Sequence, residues 1–429
     1  MKTILNPDKT QWQNLFARPS LDVQDLNALV QQVFTEIKQN GDTAVAKYTQ
    51  LFDGVSLNSF EVTAEEIQEA TAVVPDELKL AIQLAKGNIE KFHAAQNEER
   101  QIIETMQGVT CWRESRAIEK VGIYIPGGSA PLFSTVLMLA VPATIAGCTE
   151  IVLCTPPDKQ GKINPAILYT AQLAGVSKIY KVGGIQAIGA MAFGTQSIPK
   201  VDKIFGPGNQ YVTAAKQAAF AAGVAIDLPA GPSELLVIAD ATANPAFVAA
   251  DLLSQAEHGT DSQVVLVTTD EGFGSSVLAE INTQVAALPR EAVAQKALDN
   301  SRIIVLPDTV SCIEFSNGYA PEHLIIATAD ADALAEKVTN AGSVFIGKYS
   351  CESAGDYASG TNHTLPTNGY ARTYSGVSLD SFVKKITFQK ITAQGLQNIG
   401  PAIEAMAAAE QLQAHKNAVT IRLKSLQNV

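Results

Sequence analysis

Long apolar runs are missing from this chain. The most apolar stretch, residues 136–146, is too short to span a bilayer and contains Pro142. The first residues, MKTILNPDKTQWQNLF, hold no apolar run followed by a small-residue cleavage site, so no signal peptide is expected. Basic clusters are missing too. The 31 Lys and Arg stand against 43 Asp and Glu, a formal net charge of −12. That balance argues against nucleic-acid and membrane-surface partners. The five cysteines are odd in number and irregularly spaced, which argues against a disulfide framework. A soluble, reducing, cytoplasmic setting is expected. Cys148 and Cys154 lie in or beside an apolar stretch with no cation near. Nothing there would lower a thiol's pKa, and both read as core. Histidine is scarce, at five residues, and no short repeat period is visible.

What is present is ordinary for a soluble enzyme: 46% apolar and 17% charged residues over 429 positions, roughly two to four domains by length. Residues 22–107 read as helical. In 23–39 the apolar residues Leu26, Leu29, Val30, Val33 and Ile37 recur at intervals of three and four, ending at Gly41, and 75–95 opens a longer helix. From Lys120 the period changes. Short apolar strands at 121–125, 151–154, 178–182 and 202–205 alternate with helices, and glycines stand where strands end. The rhythm restarts at 235–239 and continues through strands at 264–268, 303–306, 324–327 and 343–346. The pattern predicts an α/β fold: two Rossmann-like parallel-sheet domains of similar construction, with small helical extensions at the N- and C-terminus. Residues 351–368, CESAGDYASGTNHTLPTN, read as a long polar loop of the kind that carries function. Residues 379–392 read as short strands or an edge, and 401–423 as a helix. A tail of about fifty residues is too small to build its own core. It must dock on a larger body, its own or a partner's.

The strongest local signal is LLSQAEHGTDS, residues 252–262. Asn244 can cap a helix here, Pro245 suits its first position, and Gly259 closes it. Gln255 and His258 then share a helical face and offer half of a metal site. The competing reading makes His258 a surface residue favoured by the helix dipole. Glu322 and His323 follow Pro321, where a turn is expected. A neutral imidazole can take a proton from an alcohol, and a carboxylate can orient a water; a solvated Glu and a satisfied His are the alternative. Asp356 sits beside Gly355, which lets backbone approach a ligand, or it forms a turn. Glu410 and His415 stand five residues apart, about 140° on a straight helix. Either that helix bends, or they meet a site from different angles, or both lie on a plain surface helix. His363 lies in the long loop, and His93 is an ordinary helix residue. The turns at Gly183-Gly184, at 206–209 (GPGN) and at 124–129 (YIPGGS) have the form of anion sites. None is the dinucleotide fingerprint G-x-G-x-x-G, and tight-turn chemistry explains any one of them.

Taken together, certain blocks carry more than their parts. They are VGIYIPGGSAPLFSTVLMLAVPA (121–143), KIFGPGNQYV (203–212), LPAGPSELLVIAD (228–240), DLLSQAEHG (251–259), APEHLI (320–325), ESAGDYASGTNHTLPT (352–367) and AAAEQLQAHKNAV (407–419). With these in this order the chain resembles the histidinol dehydrogenase family essentially end to end. The resemblance implies a zinc- and NAD-dependent four-electron oxidation of L-histidinol to L-histidine via L-histidinaldehyde, the last two steps of histidine biosynthesis. It implies a homodimer with one Zn2+ per subunit and an active site shared between subunits. Gln255, His258, Asp356 and His415 match the family's metal ligands, and Glu322 and His323 its acid/base pair. Ser233, Glu410 and His363 fall at or beside substrate contacts, alongside Gln255, His258, His323, Asp356 and His415. Tyr124, Gln186 and Asn209 match NAD contacts. The resemblance also implies an N-terminal extension (1–21), a discontinuous main domain (22–127 and 234–377), an inserted second sheet domain (128–233), and a tail (378–429) docked on the partner subunit. Two rivals stay open, since fold does not settle function. One is a zinc-dependent hydrolase using Glu322 to activate water; the other is a metal-stabilised protein that binds histidinol without turnover.

Overall fold

The computed structural model describes residues 1–19, 24–127, 130–229 and 231–427. They fall into two compact units, Met1–Gln96 with Ile118–Phe382, and Asn97–Ala117 with Val383–Val429.

The first unit holds two parallel sheets. In one, the strands lie in the order Lys178–Lys181, Glu150–Thr155, Lys120–Tyr124, Lys203–Phe205, Ala225–Ile226. In the other the order is Lys2–Leu5, Arg302–Val305, Gln263–Thr268, Glu234–Ala239, His323–Ala327, Ser343–Ile346. Leave out the edge strand Lys2–Leu5, and both sheets run third, second, first, fourth, fifth in chain order. Each reverses direction beside its first strand, as in a doubly wound Rossmann sheet. The two sheets of like construction expected from the rhythm are both present.

Alternation along each strand splits its side chains between two cores. Ile151 and Leu153 join Ile82, Ile89 and Leu137 on one face. Val152 and Cys154 join Val33, Ile37 and Ile188 on the other. Leu235 and Val237 separate from Leu236 and Ile238 in the same way. Each such aliphatic side chain contributes about 1.5–3 kcal/mol on burial. The apolar stripe of helix Gln24–Asn40, Val30, Val33, Phe34 and Ile37, belongs to one of these cores. Cys148 is half-buried and Cys154 fully buried. Burial pushes the Cys148 thiol up to about 11 and raises Cys154 further, as expected of core residues.

One glycine holds the crossover of the smaller sheet together. Gly206 has φ +126°, and a Cβ there would lie 2.1 Å from the Tyr124 carbonyl oxygen. Gly206→Ala is expected to cost about 1–3 kcal/mol in backbone strain and about 1–3 kcal/mol in overpacking. A variant with an unchanged urea midpoint would refute this.

Three local expectations are corrected, two of them in the second unit. Residues 102–106 are not helical. They form the strand Ile102–Met106, at one edge of an antiparallel sheet ordered Val383–Ile391, Val109–Ala117, Ile102–Met106. The helical period ends with Asp76–Ala94, and Ile102–Met106 folds back onto Val109–Ala117 through a tight turn at Gly108, φ +81°, while Val383–Ile391, far along the chain, pairs on the other side of Val109–Ala117. Trp112 stacks on Phe388 across it, ring centroids 5.4 Å apart. The single helix expected over 401–423 is two, Ala393–Ala409 and Gln413–Gln427, parted at Gln411 with φ +61°. Pro401 is held inside the first of them. The third correction falls in the first unit: the 351–368 loop contains a short helix, Glu352–Tyr357. Among the described residues no helix is long and apolar enough to cross a membrane.

Candidate active site

Helix Pro245–Ala256 begins as expected, with the Asn244 side-chain oxygen accepting from the Ala246 N–H at 2.9 Å and Pro245 in the first turn. It ends earlier than expected. Glu257 is its cap, and His258 lies beyond it, exposed. Gln255 and His258 therefore share no helical face; a turn links them instead, His258 N–H to Gln255 O at 3.2 Å. The turn formers Gly259 and Asp261 follow directly and take the chain away from the helix axis. Gln255, buried at 2% exposure, donates through Nε2 to the carboxylate of Glu352 on the short helix Glu352–Tyr357.

His323 opens the strand His323–Ala327. Its Nδ1 lies 3.2 Å from the Glu234 carbonyl oxygen, and its Nε2 lies 3.6 Å from Asp356 Oδ1. Only an N–H can pair with a carbonyl, so Nδ1 carries the hydrogen and Nε2 keeps a lone pair. Glu322 accepts from the Glu234 N–H at 2.8 Å. The peptide groups of one residue, Glu234, thus hold both members of the pair. Neighbours in extended chain normally point apart. Here Glu322 Oε2 and His323 Nδ1 come within 3.6 Å, because Ala320, at φ +55°, turns the chain sharply just before the strand.

Among the described residues, His323, Glu352 and Asp356 bring one ligand atom each to within 4.8 Å of the others. Burial pushes Glu352 up to about 8; His323 opposes that shift and Asp356 adds to it. Burial would raise Asp356 as well, but the His323 imidazole, 3.6 Å away, holds it below the usual range. Burial disfavours a charged His323, yet Glu322, Glu352 and Asp356 outweigh it and raise the imidazole well above its ordinary value. The site is thus crowded with carboxyl groups around one imidazole. Gln255 Oε1 and His323 Nε2 are also buried without a hydrogen-bond partner, each a cost of about 1–3 kcal/mol. Two carboxyl groups and an imidazole nitrogen so close together, with an unpartnered amide oxygen on a side chain that bonds one of them, fit a divalent cation such as zinc.

A second crevice lies where the smaller sheet reverses, beyond the carboxyl ends of Lys120–Tyr124 and Lys203–Phe205. Open α/β sheets bind ligands at such a point. The cavity is about 1170 Å³, lined among others by Asp53, Tyr124, Pro126, Lys159, Asn209 and Tyr211. The Tyr124 hydroxyl accepts from the Gly184 N–H at 3.1 Å. Asn209 caps helix Gln210–Ala221 through its side-chain oxygen. Gln186 is fully buried behind the wall and donates to Asp53 Oδ2 at 3.0 Å.

A family model described as histidinol dehydrogenase matches residues 16–423. The chain belongs to the histidinol dehydrogenase family. A histidinol dehydrogenase of Bacteroides thetaiotaomicron is 62% identical over 426 residues, 99% of this chain and 100% of that one. One from Pectobacterium atrosepticum is 54% identical over 415 residues, 96% of this chain and 93% of that one. The crystal structure of histidinol dehydrogenase from Elizabethkingia anophelis superposes with a TM-score of 0.98 at 64% identity, covering 100% of this chain and 99% of that one. The chain is an oxidoreductase of histidine biosynthesis, and the hydrolase reading is not favoured.

The remaining positions singled out by resemblance to histidinol dehydrogenases sit as follows. Ser233 directly precedes the Glu234 peptide and is half-buried. His363 has both nitrogens engaged, Nδ1 with the Asp356 carbonyl at 2.9 Å and Nε2 with Thr135 Oγ1 at 3.0 Å. Its ring braces Asp356, and burial lowers its pKa. Glu410 and His415 belong to the second unit and are exposed; the helix is interrupted between them at Gln411, one of the alternatives their spacing left open. Glu352, Glu234 and Asp53 were missed. Glu352 and Asp356 are four apart and share a face only once 352–357 is helical, and that segment read as a loop. Glu234 acts through its peptide, which no residue type reports.

Proposed function

We propose that this protein oxidises L-histidinol to L-histidine through L-histidinaldehyde, using zinc and NAD. The observation that carries this is His323: a tautomer fixed by Glu234, with Nε2 free beside Asp356. Gln255, His258, Asp356 and the partner subunit's His415 would hold zinc, which when bound supplies a fixed seat for the substrate's amine and imidazole nitrogens. The crevice at Tyr124 and Asn209, backed by Gln186, would hold NAD, which would accept one hydride per molecule, so that a second NAD must replace the first NADH.

His323 Nε2 takes the proton of the primary alcohol as the first hydride leaves its carbon, giving the aldehyde. His323 then releases that proton to solvent. Glu322, held by the Glu234 N–H, takes a proton from the water that adds to the aldehyde. His323 again accepts the hydroxyl proton as the hydrate loses the second hydride. Proton transfer of this kind contributes about 10²–10⁴-fold, and a held aldehyde escapes side reactions. Ser233, Gln255, His258 and Asp356, with the partner subunit's Glu410 and His415, complete the substrate contacts. A homodimer is supported by the second unit's surface. Ile102, Ile103, Met406 and Ile421 are each more than half exposed, while Val109 and Ala407 are its buried apolar side chains among the described residues. So much exposed apolar area on so small a core calls for a second body.

The test is stoichiometry. Two NADH should form per histidinol consumed, with no free aldehyde. One NADH and accumulating aldehyde would remove the second half, and no substrate-dependent NADH would remove the whole.

A further inference from the structure

We infer that Glu352 sets which end of the Gln255 amide faces the metal position, and so makes Gln255 a ligand at all. This rests on the reading of Gln255 as a zinc ligand. An amide has two ends of nearly the same shape, but only its oxygen can coordinate a cation; the NH2 end has no lone pair to give. Burial of Gln255 fixes where the group sits and leaves undecided which way round it lies. Its Nε2 is engaged by the Glu352 carboxylate. The Glu352 oxygen accepts from it, which selects the NH2 end and turns Oε1 away from Glu352. That Oε1 is the buried oxygen without a partner. Glu352 is well placed to impose the choice. It is fully buried, sits in the first turn of its helix, and its other oxygen lies 3.5 Å from Ser254 Oγ. Asp356 follows one turn later on the same short helix, so one rigid element supplies a ligand and orients another. Partners of this kind, one step removed from the metal, change affinity by about 10–100-fold.

The experiment is zinc affinity of the purified full-length protein, measured by competition with a chromophoric chelator, with no substrate present. Glu352→Gln keeps the shape but offers Gln255 either orientation, and zinc should bind about 10–100-fold more weakly. Gln255→Ala should lose at least as much. In the double variant, Glu352→Gln should add no further loss, because its effect passes through a side chain no longer there. Should Glu352→Gln fail to fold, the exchange Gln255→Glu with Glu352→Gln tests the same point. It keeps the charge and the hydrogen bond with the donor reversed, and a carboxylate presents oxygen either way round; near-native affinity is expected. Full zinc affinity in Gln255→Ala would overturn the ligand reading itself. Loss in Gln255→Ala with native affinity in Glu352→Gln would overturn only the inference. Additive losses in the double variant would make Glu352 an independent ligand, and a weakly binding exchange variant would likewise count against orientation.

Discussion

Replacing His323 by asparagine is expected to leave zinc content unchanged and to lower kcat by about 10²–10⁴-fold. The prediction separates two roles that the geometry brings close together. His323 stands with Glu352 and Asp356 in a group tight enough to hold an ion, so the imidazole has the makings of a ligand. It has one free nitrogen, however, because Nδ1 is committed to the Glu234 carbonyl. A lone pair on Nε2 cannot coordinate a cation and accept a substrate proton at once. Zinc per chain and kcat, measured on the same preparation, decide between them; an asparagine variant stripped of metal would make His323 the ligand. The pH profile adds an independent reading. A base works deprotonated, and burial alone would favour that state. The neighbouring carboxyl groups of Glu322, Glu352 and Asp356 push the other way and raise the imidazole. Glu322→Gln removes one of those charges, so the rising limb of the pH profile should move to lower pH. The same variant should lose water activation and release aldehyde after one NADH. A limb that stays in place would show that Glu322 does not act on His323 as charge.

The parts of this molecule that were legible from sequence are those governed by short-range periodicity. Alternation in Ile151–Cys154 and Leu235–Ala239, with glycines at strand ends, announced two parallel sheets, and both are there. Asn244 and Pro245 announced a helix start. What resisted reading depends on contacts between distant segments. Val109–Ala117 is the centre of a sheet because Val383–Ile391 arrives from far along the chain, and Ile102–Met106 folds back on its other side. Glu352–Tyr357 gains its helix in a stretch whose polar composition reads as a loop. At the site, Gln255, Glu322, His323 and Asp356 stand in motifs and were visible. Glu352 and Glu234 do their work through an amide and a peptide, and Asp53 through Gln186; such roles leave no spacing to find.

Arg18 is the least conspicuous of these supports, and Arg18→Met is expected to destabilise the protein by about 3–5 kcal/mol. The guanidinium is 8% exposed and its partner Glu234 1%. Nε and Nη2 reach the two Glu234 oxygens at 3.1 and 3.0 Å. Nη1 and Nη2 also donate to the carbonyls of Phe16 and Tyr319 at 3.0 and 2.8 Å, and the group lies 3.7 Å from the Tyr319 ring centroid. Methionine fills similar volume but leaves the Glu234 carboxylate, among the described residues, with the Asn368 N–H at 2.7 Å. The loss should depend on pH. Burial already holds Glu234 above the usual carboxylate range, with Arg18 pulling it down. Without Arg18 it rises further above its unfolded value, so folding binds a proton, and stability falls as pH rises. The gap in urea midpoint between wild type and variant, at one protein concentration, should therefore widen from about pH 5 to about pH 8. Adding Glu234→Gln removes the stranded charge and should recover part of the loss and flatten the pH dependence. A gap that is constant across pH would mean that Arg18 contributes packing and carbonyl bonds alone. Because the Glu234 peptide holds both Glu322 and His323, the same strained carboxylate should also loosen the catalytic pair, and kcat should fall in Arg18→Met and recover in step with stability in the double variant.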